Sequence, residues 1–162
     1  MQITSTEALW FLPFVAPICL YVAWTDMKMM KITNKAVMAL TLVFAVVGLF
    51  ALPFETYLWR YLHLIVILLV GIVLNAGGVM GAGDAKFAAA AAPFIPLGDV
   101  TQLAVIFAST LLAAWVTHKL AKHSPVRRMV PEWESWDKKK DFPMGLALGG
   151  TLLIYLLLGA LA

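Results

Sequence analysis

The stretch LIVILLVGIVLNAGGVMGAGDAKF, residues 64–87, decides how this chain can fold, because an apolar span in it ends in glycines and an acid. Residues 64–83 carry no charged side chain, and about 20 apolar residues are enough for a helix to cross a bilayer. Gly81 and Gly83 favour a loosened backbone at the end of this span. Asp84 follows at once, and a carboxylate beside a membrane calls for a specific explanation.

Composition extends the membrane assignment to the whole chain. Hydrophobic residues make up 62% of the 162 positions and charged residues only 13%, about half the charged share of a typical soluble domain. The apolar stretches are continuous rather than alternating, which favours helices over a barrel. We expect an all-α integral membrane protein with a single domain, residues 1–162, and a lipid bilayer around it. No cofactor, metal or nucleic acid is expected, and the single cysteine, Cys19, is expected to be buried and free.

Six runs without Asp, Glu, Lys, Arg or His divide the chain into candidate spans. They cover residues 8–25, 36–54, 64–83, 87–98, 100–117 and 142–162. Five reach spanning length, whereas the fourth gives only about 21 Å of helix even when it is extended to residues 84–97. We predict six transmembrane helices in one bundle, the fourth being the shortest.

The basic residues predict an orientation for these spans. If the N-terminus lies outside, eleven of the twelve Lys and Arg residues fall on the cytoplasmic side and only Arg60 falls outside. The eleven are Lys28, Lys31, Lys35, Lys86, Lys119, Lys122, Arg127, Arg128, Lys138, Lys139 and Lys140. Both termini are then outside, residues 118–141 form a cytoplasmic loop, and Asp26 and Asp84 share the cytoplasmic face. Glu7, Glu55, Asp99 and His63 are expected at outer ends or loops.

Two carboxylates that lie close together at a partly hydrated site on the cytoplasmic face suit aspartic-protease chemistry. Because neighbouring carboxylates resist double ionisation, the pair shares a proton near neutral pH. The ionised member then activates water while the protonated member polarises the scissile carbonyl. The residues alone leave two structural alternatives open: Asp84 caps the fourth helix, or Asp26 pairs with Lys28 or Lys31.

Several segments of the chain together resemble one known family. The segment GVMGAGDAKFA, residues 78–88, resembles the GxGD motif of the type IV prepilin peptidases, which are membrane aspartic proteases. The segment DMKMMKITN, residues 26–34, resembles that family's first motif, with Thr33 where proline is usual and a less rigid turn expected. Residues 142–145, FPMG, resemble the proline-containing start of the family's last helix.

The resemblance implies an endopeptidase at the cytoplasmic face of the bacterial inner membrane. Such enzymes remove the short basic leader of prepilins and pseudopilins, and pilus assembly machinery is a possible further partner. On this analogy Asp26 and Asp84 are catalytic, whereas Gly81, Gly83 and Lys86 belong to the active-site loop. Glu132, Glu134 and Asp137 are candidates for receiving the basic leader. The chain lacks the cysteine-rich insertion of longer members, so it resembles the short form of tight-adherence (Flp-type) systems; cleavage is expected, and methylation stays open.

Other readings of the two aspartates remain open. A small transporter or proton relay also uses membrane carboxylates, although it favours acids near the midplane and an internal repeat. A non-catalytic assembly protein of a pilus or secretion system would tolerate Asp→Asn at both sites. A presenilin-type protease shares the GxGD element but pairs it with a Tyr-Asp dipeptide, whereas Thr25 precedes Asp26.

Overall fold

The computed structural model describes residues 1–138 and 141–162, in which all regular structure is helical. Lys139 and Lys140, which the sequence assigns to the cytoplasmic side, lie outside the described residues. The helices are α1 (Ser5–Met29), α2 (Asn34–Ala51), α3 (Phe54–Ala76), α4 (Ala82–Ala91), α5 (Val100–Lys122), α6 (Val126–Met129) and α7 (Met144–Leu161). Short 3₁₀ turns cover Ala92–Phe94, Leu97–Asp99 and Glu134–Trp136.

Five helices of the described chain are long and apolar enough to cross a membrane. They are α1, α2, α3, α7 and α5 together with the turn before it. The all-helical, multi-pass class predicted from the sequence is therefore confirmed. The fourth span differs, because α4 has only 10 residues and is about 15 Å long. The count of six spans and the outward orientation of both termini stay predictions.

The fourth segment nevertheless connects the two ends of the bundle. At one end, α1 finishes where α7 begins, and Asp26 bonds to Gly145 there. At the other end, Asp99 accepts hydrogen bonds from the backbone of Gln2 and the hydroxyl of Tyr155. The chain between Asp84 and Asp99 thus runs along the bundle as a short helix followed by turns. We call the end with Asp26 and Asp84 the aspartate end.

Small residues let the helices at the centre approach closely. Gly145 and Gly149 lie four apart on α7, and a Cβ on Gly149 would come within 2.8 Å of the carbonyl oxygen of Cys19 on α1. A Cβ on Gly71 of α3 would come within 2.9 Å of the Cβ of Ala85 on α4. Such glycine contacts are typical of helix packing in membranes, where close approach replaces the hydrophobic driving force. Cys19 is buried and free, as predicted.

The far end of the bundle is more polar than the sequence suggested. Asp99 was expected at an outer end or loop, yet it is buried and accepts three hydrogen bonds. Arg60 and His63 lie within α3 and bond to the carbonyls of Pro93 and Ile95 at 3.1 Å each. The turns after α4 leave these carbonyls free of helical partners, and buried carbonyls need donors. These side chains therefore stabilise the non-helical part of the fourth segment.

Candidate active site

Asp26 lies in the last turn of α1 and points into the bundle. Its residue is only 5% exposed, and its Oδ2 accepts a hydrogen bond of 2.6 Å from the backbone N–H of Gly145 at the start of α7. That N–H belongs to the first turn of a helix, where it has no intrahelical acceptor. Among the described residues Asp26 forms no ion pair, so pairing with Lys28 or Lys31 does not explain it. Lys28 instead lies 5.1 Å from the centre of the Trp24 ring.

Asp84 lies in the first turn of α4, three residues after the helix cap. The capping residue is Gly81, with φ −65° and ψ 144°, so Asp84 is not the N-cap. A Cβ on Gly81 would lie 2.7 Å from Oδ2 of Asp84, which shows that the carboxyl folds back over the glycine. A side chain at position 81 would therefore displace this carboxyl. Asp84 is therefore not the N-cap residue itself, but its carboxyl accepts a hydrogen bond from the backbone of the N-cap, Gly81, and so helps to stabilise the start of α4.

Burial and a second charge act together on Asp84. Burial of the carboxyl is the larger cause and the negative charge of Asp26 the second, and together they raise the pKa of Asp84 from 3.8 to about 6. The backbone of Gly81 opposes this shift by hydrogen bonding. Asp26 and Asp84 are 58 positions apart in sequence, yet the charge of Asp26 reaches the Asp84 carboxyl. Asp84 can therefore hold a proton at pH values where an ordinary aspartate has lost it.

The glycine-rich connection between α3 and α4 has the irregular backbone that the sequence predicts. Helix α3 ends at Ala76, and Gly78 adopts a positive φ of 72°. The side-chain amide of Asn75 donates to the carbonyl of Met80 at 2.8 Å and closes the turn. The predicted end of the third helix at these glycines is confirmed.

The loop after α1 docks onto the start of α4. A Cβ on Gly83 would lie 3.3 Å from the Cβ of buried Ile32, so the second glycine of the motif leaves room for this loop. Lys86 donates a hydrogen bond of 3.2 Å to the side-chain oxygen of Asn34. Thr33 caps α2 by accepting from the N–H of Ala36 at 3.3 Å. Threonine thus gives the turn a side-chain cap in the place where proline was expected.

The three acids proposed to receive a basic leader are more exposed to solvent than the two aspartates. Glu132, Glu134 and Asp137 are exposed in the connection between α6 and α7. Asp137 pairs with Arg127 at 3.1 Å. The same connection is anchored by Trp136, which is 1% exposed and donates to the carbonyl of Val130 at 2.9 Å. The aromatic part of this connection is therefore packed rather than solvated.

Comparison with protein families supplies an independent finding about these residues. A model of the type IV leader peptidase family matches residues 14–117. The chain belongs to this family. No curated protein and no solved structure matches it. The resemblance inferred from the sequence is thereby confirmed at the level of the family.

The residues that match the type IV leader peptidase model contain only part of the candidate site. Asp26, Asp84 and the α2–α4 elements that surround them lie inside the matched residues. Gly145, which supplies the N–H bound to Asp26, lies beyond them in α7. Sequence reasoning marked residues 142–145 only as a likeness to the family's last helix. It missed the contact because no local pattern reveals which amide meets a carboxylate 119 positions away.

Proposed function

We propose that this chain is a membrane aspartic endopeptidase that removes the short basic leader from type IV or Flp-type prepilins or pseudopilins. Membership of the leader peptidase family supports peptide hydrolysis. The observation that carries the two-aspartate assignment is that buried Asp26, at the end of α1, lies near enough to Asp84, at the start of α4, for its charge to raise the pKa of that carboxyl. Two carboxylates that interact in this way suit the proton sharing that aspartic proteases need.

The proposed reaction divides the roles between the two side chains. Asp84, with its raised pKa, holds the proton and hydrogen-bonds to the carbonyl oxygen of the scissile bond. Asp26, whose carboxyl accepts from the N–H of Gly145, acts as the base and takes a proton from the attacking water. The water oxygen bonds to the carbonyl carbon. The proton that Asp26 took from the water then passes to the leaving amine as the C–N bond breaks. Both aspartates return to their starting states.

The positions of Lys86 and of the three exposed acids support secondary roles. Lys86 holds the start of α4 against Asn34 and so positions Asp84 without contacting the peptide. Gly81, just before α4, and Gly83, in its first turn, shape the start of the helix that carries Asp84. Glu132 and Glu134 offer negative charge to a basic leader, and Asp137 does so only when it releases Arg127. We place this site at the cytoplasmic face of the inner membrane, following the distribution of lysine and arginine.

A mobility-shift cleavage assay tests the proposal. The purified full-length chain in liposomes is incubated with a panel of Flp-type prepilins that carry intact leaders, beside D26N and D84N variants. We expect a leader-sized shift with the wild type and its loss in both variants, each by a factor of at least about 10³ as is usual for a group that acts in the reaction. Cleavage that survives either substitution removes that residue from the catalytic pair.

The same assay separates the competing functions. An assembly protein would tolerate both substitutions while still supporting pilus formation in cells. A proton relay would give Asp-dependent proton flux in liposomes without any cleavage. Mass spectrometry of the mature N-terminus tests whether methylation accompanies cleavage.

A further inference from the structure

A second feature of the aspartate end lies between α1 and α5. Both helices pack on α7 but leave a gap between their final turns, and Leu146 of α7 lies in that gap. The gap forms a cleft of about 270 Å³, which we call the α1–α5 cleft. Its lining includes Trp24, His118, Ala121 and Trp133. An apolar cavity of ~150 Å³ already holds a benzene-sized ligand, so this cleft is large enough for part of an alkyl chain.

Two lysines lie on the turns of α1 and α5 that border the cleft. Lys28 lies over the Trp24 ring at 5.1 Å, and Lys122 follows His118 by one helical turn. Lys119, on the outer side of α5, lies 4.5 Å from the centre of the Trp115 ring. Tryptophan and lysine together are typical of the level at which lipid headgroups meet the hydrocarbon region. An apolar cleft bordered by lysines at that level matches an acyl chain that ends in an anionic headgroup.

The cleft lies on a different side of α1 from Asp26. Its α1 residues Ala23, Met27 and Trp24 are turned by about 60°, 100° and 160° around the helix from that carboxylate. Leu146, next to Gly145, is likewise turned about 100° from the amide that bonds to Asp26. A peptide held for hydrolysis by Asp26 would therefore need to pass around α1 to occupy this cleft.

We propose that the α1–α5 cleft is a binding site for one anionic phospholipid. The acyl chain packs against Trp24, Ala121 and Leu146, and the phosphate pairs with Lys28 and Lys122. The lipid bridges helices α1 and α5, which lack direct packing at this end. This site is separate from the proposed peptidase site, and its occupancy does not depend on hydrolysis.

Quenching of tryptophan fluorescence by brominated lipid tests the site. The full-length chain is reconstituted in phosphatidylcholine vesicles in which a minor fraction is brominated phosphatidylglycerol or, as a control, brominated phosphatidylcholine. We expect stronger quenching by the anionic lipid, with saturation at low mole fraction. In the K28Q/K122Q double variant the relative affinity for the anionic lipid should fall by about 30-fold, roughly fivefold for each lysine.

A matched variant distinguishes the cleft from general surface charge. K31Q/K35Q removes two exposed lysines from the same end without touching the cleft, and it should keep the wild-type preference. Ala121→Phe fills the cleft and should reduce quenching by both lipids, with helicity checked by circular dichroism. Equal quenching by the two lipids in the wild type overturns the proposal, and so does an equal loss in K31Q/K35Q. Displacement of the lipid by an apolar prepilin segment, with no dependence on Lys28 or Lys122, would make the cleft a peptide site instead.

Discussion

The backbone N–H of Gly145 donates a hydrogen bond of 2.6 Å to Oδ2 of Asp26. The same glycine has no room for a side chain, because a Cβ there would lie 2.8 Å from the Cβ of Asp26. Gly145 thus contributes in two ways: it leaves space for Asp26, and its amide donates to the Asp26 carboxylate. The start of α7 is therefore part of the candidate site, although the family match ends at residue 117.

Gly145→Ala should separate Asp26 from its donor. Alanine normally stabilises a helix over glycine by about 1 kcal/mol, but the close contact here should reverse the sign and cost about 1–3 kcal/mol. We expect prepilin cleavage to fall at least tenfold. The free energy of unfolding in detergent and the cleavage rate per folded molecule measure the two effects.

The control for this substitution is Gly77→Ala. A Cβ at Gly77 meets its nearest atoms at 3.6 Å, an ordinary contact, and the residue has an ordinary φ of −76°. Cleavage by Gly77→Ala should equal that of the wild type within about twofold. If Gly145→Ala is as active as Gly77→Ala, the contact between Gly145 and Asp26 has no role in the reaction.

Asp84→Asn should stabilise the protein at neutral pH while abolishing cleavage. Since the folded-state pKa of Asp84 is raised from 3.8 to about 6, the folded protein holds a proton that the unfolded chain releases between these values. Stability therefore falls as pH rises from about 4 to about 6, and it stays lower above that range. Asparagine cannot ionise, so the variant should gain about 1–2 kcal/mol at pH 7.5 after allowance for partial exposure.

Unfolding of the wild type and the Asp84→Asn variant in the same detergent at pH 4 and pH 7.5 measures this gain. The difference between the two proteins should be much smaller at pH 4, where Asp84 is protonated in the folded state and about 40% protonated when unfolded. A variant that is less stable than the wild type at pH 7.5 would contradict the raised pKa.

Asp26→Asn should lower the pKa of Asp84. The substitution removes the negative charge that is the second cause of the shift, whereas burial, the larger cause, remains. The pKa should therefore move below about 6 but stay above the ordinary value of 3.8. Carboxyl carbon shifts of labelled Asp84, followed by NMR against pH, give this value directly. An unchanged pKa would show that the two aspartates do not interact in solution.

Asp99→Ala should destabilise the fold without changing the chemistry at the opposite end. Asp99 accepts from the N–H groups of Gln2 and Ile3 at 2.7 and 3.0 Å and from the Tyr155 hydroxyl at 2.7 Å. Loss of this buried acceptor should cost about 2–4 kcal/mol of unfolding free energy, since three donors lose their partner.

Tyr155→Phe is the milder companion to this variant. It removes one donor and leaves Asp99 with its two backbone partners, so we expect a loss of about 1 kcal/mol. Cleavage per folded molecule should match the wild type in both variants. A selective loss of cleavage in a folded Asp99→Ala protein would extend the functional site to the far end of the bundle.

Much of the fold follows from local sequence. Continuous apolar runs fix the α1, α2, α3, α5 and α7 spans, because a helix is the structure that satisfies every backbone group of an isolated span in lipid. The glycines after residue 76 likewise predict the end of α3, since they permit the positive φ found at Gly78. Each of these properties depends on near neighbours in the chain.

The two candidate aspartates could also be singled out from the sequence, but their surroundings could not. Motif spacing marked Asp26 and Asp84, and both positions lie within the residues that the family model matches. The packing of the helices decides which amide bonds to Asp26 and brings Lys86 to Asn34. The burial of Asp99 and the bond from Arg60 to the carbonyl of Pro93 were missed for the same reason.

Length and hydrophobicity thus determined that this chain is a helical membrane protein, and its motifs determined which acids to examine. Only the tertiary structure decided that the charge of Asp26 reaches Asp84 and raises its pKa. The physical reason is that burial and charge proximity are properties of packed helices. Gly145 and Gly149 set the distance between α1 and α7, and no periodicity within either helix encodes that distance.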